Sequence, residues 1–376
     1  MILAIDGYEA NAGMRVGIGR YAYELTAHIA DLLEKQKNAA FDEVRVYIPD
    51  AVASHMPKVT KRFLYRMVGP KQLWTFIALP IALTLDSPRA DVVFSPTHYV
   101  PRFIGSPRVM AIMDVSYLTY PELFRPQDLH KLVHWTEFSV RHAAKIITIS
   151  EFSKRAIIEA YHVPESDVIV AYPALPDSVS QDAMAKSNDS SSNVPKRYIL
   201  SVGTIQPRKN FTRLIEALSL LPDKEISLVI VGKKGWLYDD ILSAPQKFGL
   251  EKRVQFLDFV PDSALPQLYK HAVCFALPSL YEGFGLTVLE AMSHGIPVVV
   301  SKTSSLPEIA GDAGIYVDPE DTKSIAAGLT QAITEEGKTR SDRVKLGKDR
   351  VKDFTWDKAA AKVMAVLTEV GKKGSA

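Results

Sequence analysis

The chain has 376 residues, more than one compact core usually takes, so two domains are expected. Its 47% apolar and 23% charged residues are those of an ordinary globular protein. A formal charge of +2, with no basic block among the aromatics, argues against nucleic acid as the main partner. The single cysteine, Cys274, excludes an intrachain disulfide, fits a reducing compartment and sits in the apolar run VCFAL as a packing residue would. The opening MILAIDGY has an acid and no basic start, so it reads as a first strand and not as a signal peptide. The longest apolar stretch, Leu73 to Leu85, contains Pro80 and falls short of the roughly 20 residues of a membrane span. A cytoplasmic protein is expected.

In chain order, ILAID (2–6), VRVYI (44–48), DVVFS (91–95), RVMAI (108–112), KIITI (145–149) and VIVA (168–171) are short, apolar and rich in β-branched residues, as strands covered on both faces are. Between them Ile18, Tyr21, Ala22, Leu25, Ile29, Leu32 and Leu33 recur at helical spacing, and Leu132 to Ala143 behaves similarly. The stretch 58–74 mixes Lys58, Lys61, Arg62, Arg66 and Lys71 with Phe63, Leu64, Met67, Val68 and Trp74. It reads as a helix with a basic face, packed on the domain or lying on an anionic membrane surface. Residues 184–195 are dominated by serine, asparagine and aspartate and have little to bury, so they read as a linker. Alternation then restarts with YILSVG (198–203), a helix over about 212–221, SLVIVG (227–232), VQFL (254–257), VCFAL (273–277) and PVVVS (297–301). A final helix over 356–370 carries Val363, Val366, Leu367 and Val370 on one stripe. Alternating strands and helices predict α/β architecture, two Rossmann-like domains with doubly wound parallel sheets. Ligands then bind beyond the carboxyl ends of the strands.

The most informative stretch is PSLYEGFGLTVLEAMSHGIP, Pro278 to Pro297. Gly283 and Gly285 leave the backbone bare where an apolar helix begins, so amide N–H groups and the positive helix end can face an anion. Glu282 precedes the helix and Glu290 lies within it, beside Leu286 and Leu289, where a carboxylate needs a partner. Phosphate takes N–H donors and sugar hydroxyls take carboxylate acceptors, so a nucleotide sugar suits both. Arg208 and Lys209, in VGTIQPRKNF, follow a strand and precede a helix. They read either as solvated loop cations or as fixed charges neutralising a diphosphate. Gly13, Gly17 and Gly19 lie at the first strand-to-helix turn, where tight turns or phosphate approach both favour glycine.

These segments, with GIGRY, VPDSALPQLYKHA (260–272), SSLPEIAGDAGIYVDPED (304–321) and FTWDKAA, occur in the order seen in the retaining glycosyltransferases of family 4. The chain resembles that family over nearly its whole length. The resemblance implies the GT-B fold: domains 1–183 and 196–356 facing a central cleft, with 357–376 crossing back to the first. It implies that Glu290 holds the nucleotide ribose and Glu282 contacts the transferred sugar. The backbone at Phe284, Gly285 and Leu286, with Thr287 close by, meets sugar and phosphates. Arg208 and Lys209 hold the diphosphate, Gly17 approaches it from the first domain, and Asp114 belongs to the catalytic set. No metal is required. The donor expected first is GDP-mannose, as in bacterial mannosyltransferases of surface polysaccharide synthesis, and the acceptor a glycan or lipid-linked saccharide, with peripheral membrane contact through 58–74. One departure stands out: in AIMDVSYL, Met113 occupies the place of the family's histidine, so either the chemistry does without that group, or another such as Asp114 or His98 substitutes, or activity is lost. The alternative reading is a non-catalytic paralogue that binds a nucleotide sugar or a partner; epimerases share the fold but not the Glu282 to Glu290 motif.

Overall fold

The computed structural model describes residues 1–13, 17–35, 40–176, 194–258, 260–261 and 264–374. The chain divides into two compact units, one of Met1–Leu118, Pro126–Pro173 and Thr355–Ala376, the other of Thr119–Arg125 and Ala174–Phe354. The expected linker, 184–195, lies outside the described residues except for its last two positions.

The first unit is built on seven strands: β1 (Ile2–Asp6), β2 (Glu43–Ile48), β3 (Phe63–Met67), β4 (Val92–Ser95), β5 (Arg108–Ile112), β6 (Lys145–Thr148) and β7 (Val168–Val170). All pair in parallel in the order β3-β2-β1-β4-β5-β6-β7. Leu3 stands opposite Val44 on one side and Val92 on the other, and all three are buried, which explains the unbroken apolar runs. The helix Ile18–Lys35 buries Tyr21, Ala22, Leu25, Ile29 and Leu33, the stripe its spacing predicts. Against it lies the closing helix Trp356–Gly374: the Tyr21 and Trp356 rings meet at 5.7 Å, and His28 Nδ1 is 2.9 Å from an Asp357 carboxylate oxygen. The last stretch of the chain therefore belongs to the first unit.

The reading of 58–74 as a helix is corrected. Its centre is β3, the edge strand, followed by Gly69 and Pro70 and, from Trp74, a single π-helical turn. Phe, Leu and Tyr in succession favour the pleated surface; Phe63 at the start of the strand is buried and Met67, on the same face at its far end, is exposed. Its cations hold the edge together. Arg62 donates to the carbonyls of Leu33 and Phe41, Arg66 lies beside Glu43 and Asp86, and Lys71 pairs with Asp50 at 3.0 Å.

The second unit has six parallel strands, β8 (Tyr198–Val202), β9 (Ser227–Val231), β10 (Val254–Leu257), β11 (Cys274–Leu277), β12 (Val298–Ser301) and β13 (Gly314–Val317), in the order β10-β9-β8-β11-β12-β13. β13, four residues beginning with glycine, is not revealed by the apolar pattern. Phe211, Leu214, Ile215 and Leu218 of the helix Phe211–Leu220 join Leu228, Ile230 and Leu329 in one core cluster. In each sheet the strand order reverses once, between β1 and β4 and between β8 and β11, and loops leaving those strands diverge at a switch point. Among the described residues no helix is long and apolar enough to cross a membrane.

Candidate active site

Three chain segments meet at the switch point of the second sheet. After β8 the chain turns through a short 3-10 helix, Pro207–Lys209, and ends it at Asn210 with φ 60°, a left-handed conformation that asparagine tolerates. The buried Asn210 amide donates to the carbonyls of Pro278 and Pro319, at 2.8 and 2.7 Å. The loop after β8 is thereby tied to the loop after β11, and Leu280 N–H donates to the Arg208 carbonyl at 2.9 Å. A Cβ on Gly203 would lie 3.1 Å from Lys209 Cε, so the bare backbone at the end of β8 makes room for the lysine stem.

Glu282 is the centre of this arrangement. It is 5% exposed; Lys209 Nζ and Ser279 Oγ donate to Oε1 at 2.6 and 2.7 Å, and Arg208 Nη1 donates to Oε2 at 3.2 Å. The same Nη1 donates to the Tyr281 carbonyl at 2.6 Å. Burial alone would raise the carboxyl's pKa, but Lys209 first and Arg208 second overcome it and hold the group at about 2. Two cations against one carboxylate leave a net positive cluster. Ser305 Oγ donates to the carbonyls of Glu282 and Phe284, both at 2.9 Å, and Ser301 Oγ to that of Ser279 at 2.6 Å, so one serine at the end of β12 and one in the loop after it fix the Glu282 loop.

The helix Leu286–Ser293 follows. Its cap residue, Gly285, has φ 102° and supplies no side-chain cap, and a Cβ there would come within 2.7 Å of Leu306 Cδ2. Only glycine fits both the conformation and the space. Phe284 is buried, edge-on to Phe354 at 5.6 Å, while Leu286 and Thr287 are half-buried. Glu290, farther along the helix, does find the partner its position demands. That partner is the Tyr269 hydroxyl, which donates to Oε2 at 2.7 Å, in addition to any sugar hydroxyl a ligand would bring. Burial, reinforced by the Glu290 charge, pushes the Tyr269 phenol well above its ordinary range, so it remains a donor. His294 stacks on its ring at 5.3 Å, and burial followed by the Lys348 charge lowers that imidazole's pKa.

In the first unit, Gly17 has φ 53°, next to residues 14–16, which lie outside the description. Asp114 follows β5, and its carboxylate accepts from Ser116 N–H at 2.9 Å. Met113 is held by its backbone: its N–H donates to His98 Nε2 at 3.3 Å, and its carbonyl accepts from Ser153 Oγ at 3.0 Å. His98 is 8% exposed, and burial lowers its pKa against the pull of Asp114. With Nε2 accepting, the ring proton belongs on Nδ1, which has no partner among the described residues.

A family profile described as glycosyl transferases group 1 matches residues 183–350, the span that carries Arg208, Lys209, Glu282 and Glu290. The O-antigen chain mannosyltransferase B of Escherichia coli is 31% identical over 369 residues, 91% of this chain and 93% of that protein. This chain belongs to the group 1 glycosyltransferases. Sucrose-phosphate synthase from Thermosynechococcus elongatus superposes with a TM-score of 0.75 at 17% identity, over 99% of both chains. The Anabaena HepE complex with UDP and glucose does so with 0.70 at 21%, over 97% of this chain and 98% of that one. At such identities these likenesses show the GT-B fold.

For a glycosyltransferase, the chemistry available at this site is charge stabilisation. Fixed cations and an uncapped helix start converge on one loop, and the carboxylate that orders the cations stays ionised over the whole working pH range. The sequence brings forward Glu282, Arg208 and Lys209, and the structure joins all three. It leaves Glu290 with Tyr269 and places Gly17 and Asp114 in the other unit. Sequence reasoning misses Asn210, Ser279, Ser305 and Tyr269. Small polar residues in the loops after strands were the available signal for the first three; Tyr269 sits within the short helix Leu265–His271 and gave none.

Proposed function

We propose that this glycosyltransferase moves mannose, with retention of configuration, from GDP-mannose to a hydroxyl of a glycan or lipid-linked saccharide in the cytoplasm. The identity of 31% to a named mannosyltransferase over almost the whole length supports mannose and, through it, the GDP donor. The observation that carries the reading is the Arg208–Glu282–Lys209 ion cluster beside a helix start that has no side-chain cap. The bond from the sugar C1 to the diphosphate oxygen breaks, and its electron pair leaves on the phosphate. The acceptor oxygen bonds to C1 on the same face, and its proton passes to the departing phosphate. Arg208 and Lys209 stabilise the charge that develops there, as fixed cations do best when they need not reorganise. The helix amides around Phe284, Gly285 and Leu286, with Thr287, hold phosphates and sugar, and no metal is called for in this scheme. Glu282 sets the two cations and offers its carboxylate edge to the sugar hydroxyls, and Glu290 takes the ribose diol.

For the first unit the proposed roles are backbone approach to the diphosphate at Gly17 and assistance to transfer at Asp114. Met113 offers no proton, and a transfer in which the leaving phosphate takes the acceptor's proton asks for none. The test is the purified full chain with GDP-mannose, GDP-glucose, UDP-glucose and UDP-galactose. GDP release and mannosyl transfer to mannoside acceptors, both lost in Arg208→Ala, are expected. Binding of GDP-mannose with neither transfer nor hydrolysis would instead identify a non-catalytic binder.

A further inference from the structure

The segment that follows β3 has two faces. From Trp74 the chain forms the π-helical turn Trp74–Ala78 and then the helix Leu79–Leu85, burying Trp74, Ala78, Leu79 and Leu83 against Ala4, Tyr47 and Val93. At the intervening positions Leu73, Ile77, Ile81 and Leu85 are 60, 43, 53 and 77% exposed, a stripe at a spacing of four residues. Phe103, at 90% exposure, joins Ile77, Ile81 and Leu85 around a groove of about 400 Å³. A contiguous apolar face of this kind on one unit marks a contact surface, since scattered exposed apolar residues would not line one groove.

Its rim is cationic. Arg102 is stacked 4.0 Å from the Phe138 ring centroid and 5.1 Å from that of Phe76, which itself lines the groove. Arg89 is exposed, with Nη1 3.6 Å from the place a Cβ on Gly105 would take, two residues from Phe103. Lys131 reaches over Trp135, whose ring lies 4.6 Å from Phe76; Asp128 precedes it by one turn. The acid at the end of the helix, Asp86, is committed elsewhere: Tyr47 donates to it at 2.5 Å and Arg45 at 3.1 Å.

We propose that the face formed by Leu73, Ile77, Ile81, Leu85 and Phe103, rimmed by Arg89 and Arg102, docks the first unit on an anionic phospholipid surface. Aliphatic side chains and a phenylalanine enter the acyl boundary while the arginines meet phosphate headgroups. A second copy of the chain fits less well, because a two-fold interface would set the same cations against one another. The docking face is distinct from β3 and the residues flanking it, where Arg62, Arg66 and Lys71 are engaged within the unit. It is independent of which donor the enzyme uses.

The test is sedimentation of the full chain with vesicles of phosphatidylcholine alone and of phosphatidylcholine mixed with phosphatidylglycerol, at low and high salt. Binding to the mixed vesicles, weakened by salt, is expected. It should fall roughly tenfold in the double variant Leu85→Ser, Phe103→Ser and in Arg89→Gln, Arg102→Gln. Leu85 and Phe103 are surface residues, so the serine variant should melt as the wild type does. Absence of binding to mixed vesicles at low salt overturns the proposal, as does binding that the serine variant leaves unchanged. A dimer in sedimentation equilibrium that the serine variant dissociates would assign the face to a second copy and overturn it as well.

Discussion

Glu282 shows how one side chain serves two ends. Its pKa falls from the ordinary 4.5 to about 2, which at about 1.4 kcal/mol per tenfold change corresponds to roughly 3 kcal/mol of native-state preference for the ionised form. A depressed carboxyl contributes its stability above the unfolded value and loses it as pH falls toward the folded one. Acid should therefore weaken the second unit between about pH 4.5 and 2. Glu282→Gln lacks that dependence. Its stability, followed by circular dichroism, should be lower at neutral pH and flatter across that window, and its kcat should drop about a hundredfold because the cations lose their fixed counter-charge. An unaltered acid profile in the variant would show that the ion cluster contributes no stability. The charges themselves were legible in the sequence, as two cations after a strand and an acid before a glycine. Their mutual pairing was not, because the segments are 73 residues apart from Lys209 to Glu282 and only the sheet order brings them together.

At the scale of elements, the chain advertised most of its strands because parallel sheets covered on both faces demand continuous apolar runs. β3 escaped for the converse reason. An edge strand is half-covered, its last two residues, Arg66 and Met67, are half-buried and exposed, and mixed polarity over a short run suits a helix equally well. The helix Leu286–Ser293 was legible through its bare glycines, and Gly285 turns that reading into a measurable cost. Gly285→Ala must place a Cβ in a left-handed backbone and against Leu306, an expected loss of about 2 to 4 kcal/mol and a melting temperature lower by several degrees. Gly249→Ala makes the control: its φ is 66°, but a Cβ there meets nothing within 4 Å, so only the conformational part, about 1 kcal/mol, should appear. Equal melting temperatures for the two variants would mean that the helix start tolerates a side chain.

For the whole molecule, two sheets with one order reversal each place a pair of switch points in a chain whose termini both lie in the first unit. The restart of alternation after residue 195 foretold the second sheet. The return of the last helix followed from resemblance alone, since an amphipathic stripe does not say which surface it covers. The single cysteine now acquires a use. Cys274 is fully buried on β11, the strand beside the switch point, and burial pushes its thiol up to about 12. The first unit contains no thiol at all. Exchange with an aromatic disulfide reagent therefore acts as a clock that runs only while the second sheet is open, and it is silent to any opening of the first. A nucleotide that binds the second unit should slow this clock in proportion to one plus its concentration over Kd. Labelling at the rate of the urea-unfolded chain would show that β11 gives its thiol no protection.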